Sequence, residues 1–186
     1  MKGHIAKANV RRALFGAFSL VLLVLALCHQ AGTQAQMEEH EAKAAFVLKL
    51  VNFVEWPAGG QNSLTIGTVG ADETADALTR LANGKSVNGK AVVVRRLAPD
   101  ADLKGIDVLY IGSSQAKNLA SLFERARGGN VLTIGETDGF DQRGGMVNLL
   151  VSEGRIKFEV NPHAAEKAHL QISSRLLSLA TIVNGG

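Results

Sequence analysis

Cysteine is nearly missing from this 186-residue chain; the one copy, Cys28, directly follows the apolar stretch near the start. No disulfide can therefore brace the body of the protein. Stability has to come from an apolar core, which a domain of about 150 residues can build. Metal chemistry has no ligand set either. Beyond the leader the only histidines are His40, His163 and His169. The last two are six apart, whereas ligands on one helical face need a spacing of three or four. Aromatic residues are few, with a single tryptophan, Trp56, and a single tyrosine, Tyr110. Acidic residues are absent before Glu38.

That last absence marks an export signal. Lys2, Lys7, Arg11 and Arg12 form a positive start, and ALFGAFSLVLLVLAL (13–27) follows as a fifteen-residue apolar run. The run falls short of the roughly 20 residues that span a bilayer. Small residues at Ala31, Thr33 and Ala35 place cleavage near Ala35–Gln36, leaving residues 36–186 as one mature domain. An uncleaved anchor is the rival; a lipoprotein reading of Cys28 fails on the bulky Leu27 before it. Taking the four leader cations from the twenty Lys and Arg leaves sixteen against seventeen Asp and Glu. The pI of 9.2 is thus mostly a property of the leader, and no basic patch points to nucleic acid.

The mature chain reads as alternating helix and strand. A mostly apolar helix is expected over about 38–54, ended by Trp56 with Pro57 enforcing the stop. Strands follow at SLTIGTVG (63–70), KAVVVRRL (90–97), IDVLYIG (106–112) and NVLTIGE (130–136). Helices intervene after Gly70 and after Ser113–Ser114, where a serine serves as cap. MVNLLV (146–151) and IKFEV (156–160) read as an antiparallel hairpin, and Asn161–Pro162 opens a final helix running to about 183. The expected class is α/β: a three-layer domain with a mostly parallel sheet, a C-terminal antiparallel hairpin and helices on both faces.

Catalytic patterns are hard to find. GTVGADE (67–73) lacks both the dinucleotide spacing and a phosphate-loop lysine, and its own acids sit where an anion would bind. GSSQA is not a nucleophile elbow. Glu136, Asp138 and Asp141 cluster after the fourth strand, at the sheet end where open α/β folds hold ligands, and read best as a solvated loop. Glu55 has no acid–base companion in its motif. No catalytic, cofactor or metal residue is assigned, and the chain is read as a non-enzyme.

Three blocks carry a family resemblance. KAAFVLKLVNFVEWP (43–57), VLTIGETDGFDQRGGMVNLLVSEGRIKFEVN (131–161) and AHLQISSRLLSLA (168–180) together resemble the YfiR/HmsC-like periplasmic proteins, in order and spacing. The resemblance implies a periplasmic negative regulator, often dimeric. Such a protein binds the sensor portion of an inner-membrane diguanylate cyclase and restrains cyclic-di-GMP synthesis and biofilm formation. The best-known member carries cysteines that form disulfides, and its release is tied to periplasmic redox state. Here Ile106 stands where a cysteine is expected, so a disulfide switch cannot operate. Loops usually carry recognition, which makes Asp138, Phe140, Arg143, Glu153 and Arg155 the candidate partner-binding residues. Trp56, Pro57, Gly144, Gly145 and Asn161 form the structural signature. The alternative is a periplasmic small-ligand-binding module using the loop ends near Gly70, Ser113 and Glu136–Arg143.

Overall fold

The computed structural model describes residues 36–57, 62–70, 72–152 and 154–184; the leader and its cleavage site lie outside them. Helix α1 covers 36–50. After a short 3-10 turn, Val51–Phe53, come β1 (Val54–Glu55), β2 (Ser63–Val69), α2 (Asp72–Ala82), β3 (Ser86–Val87), β4 (Lys90–Arg96) and β5 (Val108–Ile111). Then follow α3 (Leu119–Ala126), β6 (Leu132–Gly135), β7 (Val147–Ser152), β8 (Arg155–Val160), α4 (Pro162–Lys167), β9 (Gln171–Ile172), α5 (Ser174–Leu177) and β10 (Thr181–Ile182).

Eight strands form one sheet in the order β10-β8-β7-β6-β5-β2-β4-β3. Its centre, β4-β2-β5-β6-β7, is parallel; β7 and β8 are the expected antiparallel hairpin. Strand β5 explains why both faces need cover. Val108 and Tyr110 pack into a core with α1 and α2, while Leu109 and Ile111 pack into a second core with α3. Alternate side chains of a strand point to opposite faces, so an all-apolar strand demands a layer on each side. This is the three-layer α/β arrangement anticipated above. Ile106 is buried in the α3 core.

Two helix assignments need correction. The first helix ends at residue 50, not at 54. Val54 and Glu55 instead pair antiparallel with Ile172 and Gln171, so Trp56 sits past a strand and does not end the helix. It is half-buried against the α1 core, and its indole N–H donates to the Asp107 carbonyl at 3.4 Å. The expected C-terminal helix is also broken. His169 takes a left-handed φ of 58°, the conformation that closes helices, and Leu170 N donates back to Ala165 O at 2.9 Å. Ser173 then caps the short α5 by accepting from Leu176 N, and Thr181–Ile182 joins the sheet beside β8. Buried Leu170 and Leu176 give the segment its helix-like spacing, but three separate short elements place them.

The serine cap is a third correction. Ser113–Gln115 forms a 3-10 turn and α3 begins only at Leu119, with no side-chain cap bond.

Candidate functional site

The chain leaves β2 for β4 on one side and then crosses to β5 on the other. Such a reversal marks the usual ligand position of open α/β sheets, here the carboxyl ends of β2 and β5. Helix α1 projects Lys43 into this end of the sheet. Its ammonium lies 2.6 Å from Glu39 Oε1 and 2.8 Å from Glu136 Oε2. Glu136, just past β6, also accepts from the Tyr110 hydroxyl at 3.0 Å and from Ser113 N at 3.1 Å. Nearby, Ser114 Oγ donates to Gly70 O at 2.8 Å, and His40 Nδ1 lies 2.9 Å from Thr74 Oγ1.

The electrostatics are those of an anchor. Burial pulls the Lys43 pKa down, but hydrogen bonds and charge attraction from Glu136 and Glu39 outweigh it and leave it raised. Burial and the adjacent Glu136 carboxylate push Tyr110 far above the ordinary phenol range, against a weaker opposing bond from Thr74. Tyr110 is therefore a fixed neutral donor and Lys43 a fixed cation. Neither is poised near neutrality for proton transfer. Ser114 spends its hydroxyl on a carbonyl, where a nucleophile would meet a base. Among the described residues, no group of three or more His, Cys, Asp or Glu could hold a metal ion.

Residues 138–145 form the second feature. Phe140 is fully buried, which corrects its assignment as an exposed contact residue. Its ring meets Phe123 edge-on at 5.1 Å and fills the space left by two glycines. A Cβ on Gly135 would fall 2.3 Å from the ring, and one on Gly145 only 2.1 Å from it. Gly144 takes a φ of 105°, open to glycine alone at low cost. Asp141 is buried as well. Asn161 Nδ2 donates to the Asp141 carbonyl at 3.0 Å, while Asn161 Oδ1 caps α4 by accepting from Ala164 N. Arg143 closes the loop, donating to the carbonyls of Gly139, Ala116 and Asp138 at 3.0–3.3 Å. Asp138 and Arg155 are exposed; Glu153 lies outside the described residues.

A sequence profile described as YfiR/HmsC-like matches residues 40–181. The chain belongs to the YfiR/HmsC-like family. Members are periplasmic regulators rather than enzymes. Among the described residues, no helix is long and apolar enough to cross a membrane. Solved structures share the fold. A conserved domain protein of Vibrio cholerae O1 biovar El Tor is 17% identical, with a TM-score of 0.52 over 77% of this chain and 59% of its own. The ligand-free, open form of a substrate-binding protein with adhesive properties from Clostridium difficile is 15% identical, with a TM-score of 0.50 over 67% and 55%. The ABC domain from Streptococcus pneumonia in complex with L-Trp is 10% identical, with a TM-score of 0.50 over 66% and 56%. This YfiR/HmsC-like chain thus spans 55–59% of the length of those proteins.

Seen beside the family blocks, the sequence reading missed the link between them. Lys43 opens the first block and Glu136 lies within the second, 93 residues on. The available signals were a lysine four residues after Glu39, where the helix turns apolar, and the lone tyrosine of an apolar strand.

Proposed function

We propose that this YfiR/HmsC-like protein is a periplasmic negative regulator that binds the sensor portion of an inner-membrane diguanylate cyclase and restrains cyclic-di-GMP signalling. Family membership over residues 40–181 carries the reading. Residues 1–35 act as the export signal, removed near Ala35–Gln36. Inhibition is a population shift: the regulator binds the inactive cyclase more tightly than the active one. Contacts come from Asp138 and Arg155 on exposed turns, with Arg143 holding its loop in shape. Co-purification from membranes with a cyclase bearing a periplasmic sensor region tests it. Failure to bind, with cyclic-di-GMP unchanged on deletion, sinks the proposal.

A second reading is a periplasmic small-ligand module. Its support is the fold shared with a substrate-binding protein and the convergence of Gly70, Ser114, Ser113 and Glu136 at the switch point. Against it, Lys43 already occupies the carboxylate there. A thermal-shift screen of periplasmic metabolites tests this reading: a ligand held at the switch point raises the apparent melting temperature, and Ser114→Ala removes the rise.

A further inference from the structure

A cleft of about 270 Å³ opens beside Arg143, between the C-terminal ends of α3 and α4. Neither the buried anchor at the switch point nor the exposed turns accounts for it. Small residues create the space: Ala126 and Gly128 from the end of α3, Gly144 from the loop, Ala164 and Ala168 from α4 and its cap. Phe123 and Met146 give it apolar surface.

Three cations border that surface: Arg127, Arg143 and Lys167. The acidic residue of the lining is Glu124, paired with Arg127 at 2.7 Å. The helix ends contribute about half a negative charge each, so the cleft keeps a net positive field. The carbonyls that hold Arg143 orient its guanidinium without neutralising it. Lys167 has no hydrogen-bond or ion-pair partner among the described residues.

We propose that this cleft binds a small monocarboxylate with an apolar aryl or alkyl body. The body covers Phe123 and Met146, and the carboxylate faces Lys167 and Arg127. A bare inorganic anion would leave the apolar wall wet, and a neutral amphiphile would leave Lys167 uncompensated. Ligand pockets commonly join an apolar lining to a few converging polar groups in this way. The site stands apart from the cyclase reading: either can fail alone.

The test uses protein expressed from the full chain and purified from the periplasm, titrated with phenylacetate and followed by amide NMR. The expected result is saturable shifts at Gly128, Gly144 and Ala168, with a Kd on the order of 1 mM. Phenylacetamide, which lacks the charge, binds about tenfold more weakly, as does phenylacetate to the Lys167→Gln variant. Lys167 is exposed, and the acid–amide comparison on the unsubstituted protein decides the matter whatever the variant does. Equal binding of acid and amide, shifts centred elsewhere, no saturation, or inorganic phosphate binding as tightly as phenylacetate would each overturn the proposal.

Discussion

Helix α1 and the 138–145 loop are both tied to β6 and its exit, but by different physics. The loop is held by packing: Phe140 fills a slot cut by Gly135 and Gly145. The helix is held at its polar end by charge, with Lys43 reaching a carboxylate on the far side of β5. Packing is unforgiving of volume but indifferent to pH. A buried ion pair tolerates replacement of both charges together but not the loss of one partner. Phe140→Ala makes the sharpest break in the comparison. It should cost about 3–5 kcal/mol in urea unfolding, the range for a fully buried aromatic. A cost below about 1 kcal/mol would mean the ring is not the plug of this loop.

The charged side breaks differently. Lys43→Met alone strands Glu136 beside Tyr110 in a mostly buried site and should cost about 3 kcal/mol. Glu136 keeps two other donors, Tyr110 and Ser113. In the double variant Lys43→Met, Glu136→Gln, much of that loss should return, because no buried charge is left unpaired and the part-exposed Glu39 is solvated. A double variant no more stable than Lys43→Met alone would remove the buried pair as the anchor of α1.

These two regions were unequally legible in the sequence. The sheet strands could be read because apolar runs such as VLYI signal burial on both faces, whatever the partners. The glycines flanking Phe140 were visible as a motif, yet Phe140 was assigned to the surface, since a Gly-Phe-Asp string between turns looks like loop chemistry. Only the pairing of strand and loop reveals that Gly135 makes room for the ring. The anchor was half-invisible for a related reason: the Glu39–Lys43 pair follows helical spacing, but Glu136 lies 93 residues from Lys43 and no local period links the two. The broken C-terminal helix shows the limit of spacing alone. Leu170 and Leu176 are buried, but a left-handed His169 between α4 and β9 decided the backbone.

The pH response sharpens the contrast. Lys43 and Tyr110 both have folded pKa values raised above their ordinary 10.5 and 10.0. In alkali the native state therefore binds more protons than the unfolded one, and stability falls as pH rises. Their contribution is complete below about pH 10 and is lost progressively above it. Tyr110→Phe should flatten this alkaline limb while costing about 1–2 kcal/mol at neutral pH for the lost bond to a carboxylate. Phe140→Leu should lower the whole curve without changing its slope. An unchanged alkaline limb in Tyr110→Phe would exclude Tyr110 from the titration.

Arg143 gives the smallest effect, because it is exposed and bonds only to carbonyls. Arg143→Gln should cost about 1 kcal/mol or less in global unfolding, since solvent competes for each bond. Its local effect should be larger. The guanidinium joins the 138–139 turn to the carbonyl of Ala116, so its loss frees the loop from the segment before α3. Hydrogen exchange should therefore quicken at Arg143, Gly144 and Gly145, whose amides close the turns onto Gly139, Asp141 and Phe140, with β6 unaffected. Equal acceleration in β6 and the loop would mean that Arg143 supports the fold as a whole. Confinement to the loop would separate its outer shell, shaped by Arg143, from the Phe140 plug beneath it.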